Sequence, residues 1–231
     1  MKIKFYPMNS LVKQVIPHPM PSRPPQWFKD VSNFTNGDTK LNVSNGQSNY
    51  SVKRCVPFLD SYSTGYTFNL WADIFVKNIN GVPYLSWNHT YENLAEVVMR
   101  DPINDLPIYE NFHPFVFSWQ SYWGIQTPKG YSCILTHPFN RTDLPFITTT
   151  GVMDTDRWGV WGKQPFALKK DFEGIIEAGT PIIQVIPFKR DKWQTEIDES
   201  LSEHGMIQDI KSRSKISGYY KNNYWNRKEY K

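Results

Sequence analysis

Asp154 and Asp156, two positions apart in TTTGVMDTDRW, are the carboxylates of this chain whose spacing invites a chemical reading. Aspartates so placed either take part in catalysis or close a β-hairpin by bonding backbone N–H groups, and closing a turn is the commoner use. Arg141 and Thr142 stand in FNRTDLPF. The guanidinium can anchor a phosphate, or it can pair with Asp143 or Asp156 in a buried ion pair, and the two readings carry equal weight. Gln184, inside TPIIQVIPF, is expected to cap buried backbone groups and only secondarily to touch a ligand. His18, His89, His113, His137 and His204 form no HxH, HxD or HExxH pairing, so the metal-binding β-barrel enzymes lose their ligands here, and no cofactor is implied. His113 and His137 each precede a proline, which favours extended backbone and a structural role.

The elements that must position these residues read as mainly β. Between residues 50 and 189, short β-branched and aromatic runs alternate with Gly, Pro, Asn and Asp every eight to twelve residues. The clearest runs are SVKRCVPF, YTFNLWADIFVK, GVPYLSWNH, FVFSW, GIQTP, YSCILTHP, PFITTTGVM and TPIIQVIPF, with ENLAEVVMR as a short helix among them. Residues 1–49 hold five closely spaced prolines and an Asn-, Ser- and Gly-rich run, so they read as an extended arm or loops, with one helical turn in PPQWFKDV. Residues 190–231 form a third region. Trp193, Ile197 and Leu201 fall four apart and Ile207 and Ile210 continue the stripe, which predicts an amphipathic helix, broken at Gly205, before an aromatic and basic tail.

Composition narrows the classes. A chain of 231 residues can bury its own core without staples. Cys55 and Cys133 have no zinc-like spacing and are read as free thiols in a reducing compartment. No secretory leader is expected, and no apolar window reaches membrane-span length, which points to the cytoplasm of a host cell or to a virion. The net charge of +4 tolerates phosphate contacts without requiring them. An aromatic content of 16% favours surfaces that pack against protein. For the tail, docking on a neighbouring subunit therefore outweighs nucleic acid.

Four segments, in order, resemble motifs of the dUTPase and dCTP deaminase superfamily. STGYTFNLWADIFV is similar to the first motif through Gly65 and Tyr66, with Thr67 where the family has a magnesium-holding aspartate. TPKGYSCILTHPFNRTDLPF resembles a strand ending in a PRSGL turn, matching at Arg141, Thr142 and Leu144, with Asp143 in place of glycine. TTTGVMDTDRW resembles a GVIDxDYRG hairpin at Gly151, Val152, Asp154 and Asp156, with Arg157 where a base-stacking ring is expected. EAGTPIIQVIPF is similar to GDRIAQLVI at Gly179, Ile182 and Gln184, and the family's glycine-rich fifth motif is missing. The chain also looks like a family from bacteriophages and bacteria that carries RCVPFLD, NRTDLPF and GVMDTDR.

The resemblance implies a dUTPase-like β-clip, or distorted barrel, and a homotrimer. It implies Asp154 as general base and Arg141, Thr142, Asp156, Arg157 and Gln184 around a nucleotide, with magnesium only if hydrolysis is retained. Because the metal aspartate, the stacking ring and the phosphate lid are absent while the turn-forming residues remain, the expectation is a non-catalytic, phage-encoded structural or host-interaction protein. A nucleotide-binding or nucleotide-hydrolysing enzyme with altered substrate choice is the alternative.

Overall fold

A computed structural model describes residues 1–44, 47–89, 91, 94–99, 110–159, 162–214 and 218–231. In chain order the elements are β1 (Lys4–Pro7), α1 (Ser10–Val15), β2 (Met20–Pro21), α2 (Gln26–Asp30), β3 (Val43–Ser44), β4 (Gln47–Ser48), a 3-10 turn (Val52–Arg54), α3 (Val56–Ser63), β5 (Tyr66–Asn69), β6 (Ile74–Ile79), β7 (Val82–Trp87), β8 (Val97–Met99), β9 (Phe112–Gln120) and β10 (Trp123–Gln126). They continue with β11 (Tyr131–Thr136), β12 (Phe146–Thr148), β13 (Gly151–Met153), β14 (Lys163–Lys169), β15 (Gly174–Ile176), β16 (Pro181–Lys189), a second 3-10 turn (Glu199–Leu201), α4 (Ser202–Ser214) and α5 (Tyr219–Asn223). The protein is mainly β, as expected, and its sheets are antiparallel and open, with no closed barrel among the described residues. No described helix is long and apolar enough to cross a membrane.

The chain divides into two compact units. One comprises Met1–Arg23, Ser61–Arg190 and Tyr230–Lys231, and the other Pro24–Asp60 and Asp191–Glu229. In the first, a five-stranded sheet runs in the order β13-β11-β16-β5-β2. All four segments singled out from the sequence contribute a strand to this sheet. Its central pair, β11 and β16, is in register from Tyr131 opposite Lys189 to Thr136 opposite Gln184. Gly65 has φ +76°, and a Cβ there would lie 2.0 Å from the Val185 carbonyl oxygen, so only glycine lets β5 approach β16 this closely.

The turn after β11 carries the chain into a second sheet, β12-β14-β9-β8, and a third is ordered β15-β6-β7. The buried side of the second sheet is aromatic. Trp119 and Phe166 are fully buried and stack at 3.5 Å between centroids, and the Trp119 indole N–H donates to Thr148 Oγ1 at 3.0 Å. Much of the aromatic content thus fills the interior, whereas Trp158 and Trp193 are exposed.

Several elements differ from expectation. SVKRCVPF is helical: Ser51 accepts the Lys53 N–H, and Pro57, in the first turn of α3, loses no intrahelical bond there. In ENLAEVVMR, Leu94–Glu96 take neither helix nor strand and Val97–Met99 form β8, with Val97 opposite Trp119 on β9, while Glu92, Asn93 and Arg100 lie outside the described residues. The predicted helix does not begin at Trp193. Asp198 caps Ser200 and starts the helical backbone there, which then runs through Gly205 without a break. Within the first 49 residues, β1 pairs with β10 and α1 buries Val12 completely, so this stretch is more than loops. Strands β14 (KQPFALK) and β15 (GII) lie outside the runs expected from the sequence.

Candidate functional site

The antiparallel register of β11 and β16 places Arg190 immediately beyond Tyr131, where its N–H donates to the Gly130 carbonyl at 2.8 Å. The guanidinium then lies against the hairpin that follows β13. Arg190 Nη1 donates to Asp156 Oδ1 at 2.9 Å and to Asp154 Oδ1 at 3.0 Å, and Nη2 donates to Asp156 Oδ2 at 2.5 Å. Asp156 also accepts the Gly130 N–H at 2.8 Å, and Asp154 accepts the Ser132 hydroxyl at 2.7 Å. The hairpin turn itself is closed by backbone: the Asp154 carbonyl accepts the N–H groups of Arg157 and Trp158, each at 2.9 Å.

These contacts set the electrostatics. The Arg190 hydrogen bonds and the Gly130 N–H hold the Asp156 carboxyl down at about 2. The Ser132 hydroxyl and then Arg190 lower that of Asp154. Both carboxylates are therefore ionised and engaged. Arg157 and Trp158 point to solvent beside them.

At the opposite end of the strand pair, Gln184 is 1% exposed and saturates its amide with three partners. Oε1 accepts the Phe139 N–H at 2.8 Å, while Nε2 donates to the carbonyls of Ser61 at 2.9 Å and Thr64 at 2.6 Å. Arg141 forms a bidentate pair with the neighbouring Asp143 through Nε at 2.9 Å and Nη2 at 2.9 Å. The Thr142 carbonyl accepts Lys169 Nζ at 3.0 Å. His137 accepts the Thr148 N–H at Nδ1, so its Nε2–H donates to the Arg141 carbonyl at 3.0 Å, and burial lowers its pKa. His137 thus pins the turn in place. A groove of about 400 Å³ opens here over Phe112 and Phe146, rimmed by Arg141, Thr142 and Lys169.

The residues singled out from the sequence fall into two groups. Asp154, Asp156 and Arg157 share one end of the β11–β16 pair, and Arg141, Thr142 and Gln184 share the other. From the Tyr131–Lys189 pairing to the Thr136–Gln184 pairing is five residue steps, or roughly 17 Å along the strands. Arg141 takes Asp143 as its partner, and the partner of Asp156 is Arg190. Sequence reasoning missed Arg190, because only the strand register brings it to the hairpin. Its one local signal is a basic pair, Lys189 and Arg190, ending the strongest apolar strand.

Cys55 and Cys133 are both free thiols. Among the described residues no cluster of His, Cys, Asp or Glu could hold a metal ion. No protein-family model matches the chain, and a search of curated proteins finds no match.

Proposed function

We propose that this chain is a non-catalytic, homotrimeric interaction protein built on a divergent dUTPase-like β-clip, phage-encoded and acting in the host cytoplasm or in the virion, with protein as its partner. The reading is supported most by what has become of Asp154. A general base works best with a pKa near the working pH and with a free lone pair aimed at water. Asp154 is instead held below the ordinary carboxylate range, with its Oδ1 taken by the Ser132 hydroxyl and the Arg190 guanidinium. Thr67, where the resemblance expects a metal-holding carboxylate, is buried in β5. The common sheet shared by the four motif-like segments supports the scaffold half of the reading.

A second reading, nucleotide binding without hydrolysis, draws on the groove beside Arg141 and Lys169. One experiment separates these readings from catalysis. Purified protein is incubated with the common ribo- and deoxyribonucleoside triphosphates and magnesium, and pyrophosphate and ammonia are followed. No turnover is expected, and turnover that disappears in Asp154→Asn overturns the proposal. A thermal shift with one nucleotide, abolished by Arg141→Ala, selects the second reading.

A further inference from the structure

Trp193, Ile197 and Leu201 are 88%, 89% and 62% exposed, on a stretch that from 191 to 198 takes neither helix nor strand. Leaving three large apolar side chains in water forgoes roughly 1.5–3 kcal/mol each. Their spacing of four, with Ile207 of α4 on the same face at 42% exposure, is that of an amphipathic helix whose apolar side the described residues of its own unit leave largely uncovered. The stretch is also acidic. Between 191 and 203, Asp191, Glu196, Asp198, Glu199 and Glu203 stand against Lys192 alone, five negative charges to one positive, or −4 in a chain of net charge +4.

The first unit carries a surface of complementary character. A groove of about 400 Å³ lies between the end of α1 and β10, with Val15, Ile16, Pro17 and Trp123 as its apolar wall and Lys13 and His18 on its rim. The Trp123 indole N–H donates to the Ile16 carbonyl at 3.3 Å, which fixes the wall as a rigid apolar face with its polar atom already used. The surrounding stretch is basic throughout: residues 1–23 contain Lys2, Lys4, Lys13 and Arg23 and no acidic residue.

We propose that the partner of the acidic stretch is a second copy of this chain, with Trp193 of one copy seated in the groove between Ile16 and Trp123 of the next. Residues 191–201 become helical on docking and extend α4 towards the N-terminus, aligning Trp193, Ile197 and Leu201 as anchors while the acidic residues meet the basic rim. The contact joins unlike surfaces head to tail, so it propagates until a rotation closes the ring. This inference rests on the oligomeric reading above and names the surfaces that would build it.

Light scattering across a concentration series tests it with the full chain. Trp193→Ala removes the anchor, and Lys13→Glu/Pro17→Glu blocks the groove. All three positions are exposed, so each variant is expected to stay folded, with a cooperative melt, as assembly is lost. The wild type assembles, each variant dissociates roughly thirtyfold more readily, and added salt weakens the wild-type assembly. An equimolar mixture of the two variants, having one sound anchor and one sound groove between them, forms a complex of two copies and stops there. A wild-type oligomer whose mass and dissociation constant are unchanged in Trp193→Ala overturns the docking while leaving the oligomer intact, as does a variant mixture that stays monomeric. A wild type that is monomeric at every concentration overturns the oligomeric reading and the docking together.

Discussion

Arg190 clasps Asp156 across the end of the β11–β16 pair with two nearly parallel hydrogen bonds, 2.9 Å from Nη1 to Oδ1 and 2.5 Å from Nη2 to Oδ2. The Asp156 side chain is only 3% exposed, so this pair is screened less than an ordinary surface ion pair. Its carboxyl is depressed from 3.8 to about 2 in the folded state. Such a group contributes stability that is fully present above pH 3.8 and is lost as the pH falls towards 2. Replacing Asp156 with Asn is expected to flatten the acid side of the stability curve in that window and to lower the melting temperature at pH 7. Thermal melts of the two proteins from pH 2 to pH 7 provide the check.

Gln184 and Arg141 make opposite predictions although they lie at the same end of the sheet. Gln184→Ala removes the partner that three half-buried backbone groups share, at Phe139, Ser61 and Thr64, and should cost about 2–4 kcal/mol in urea denaturation. Arg141 pairs with an Asp143 side chain that is 42% exposed, so Arg141→Ala should cost less than about 1 kcal/mol. Comparable losses for the two would contradict the structural role assigned to the amide.

Glu96 is 2% exposed, and burial raises its carboxyl from 4.5 to about 8 against the lowering effect of the Ala72 and Trp71 N–H groups. The folded state therefore favours the neutral acid, whose contribution is complete below pH 4.5 and is lost as the pH rises towards 8. Glu96→Gln keeps an oxygen for the Ala72 N–H, which Glu96 Oε1 accepts at 2.8 Å, and carries no charge. The variant should match the wild type at pH 4.5 and exceed it by on the order of 2–4 kcal/mol at pH 8. Denaturant titrations at the two pH values measure the difference.

The β character and most strand positions were legible because alternation and turn residues are local signals. YSCILTHP, PFITTTGVM and TPIIQVIPF all became strands, and PPQWFKDV gave α2. What failed had one local cause and two non-local ones. SVKRCVPF has the composition of a strand, yet a serine cap and a proline in the first turn make it helical. Trp193, Ile197 and Leu201 have helical spacing, but without a surface to cover them the stretch to Asp198 stays irregular, since short helices depend on burial more than on propensity. The hairpin and turn residues were found at their sequence positions. Their separation to opposite ends of one strand pair, and the arrival of Arg190 between the two aspartates, follow only from the register of β11 on β16.

The central claim is that Asp154 is held by its own chain and not poised to activate water, and a direct titration of its side-chain carboxyl carbon by NMR tests it. The account predicts a midpoint below 3.8, moving upwards when Arg190 is replaced by Ala, because the Ser132 hydroxyl and the Arg190 guanidinium both favour the ionised form. A midpoint above the ordinary carboxylate value, indifferent to Arg190→Ala, would contradict it.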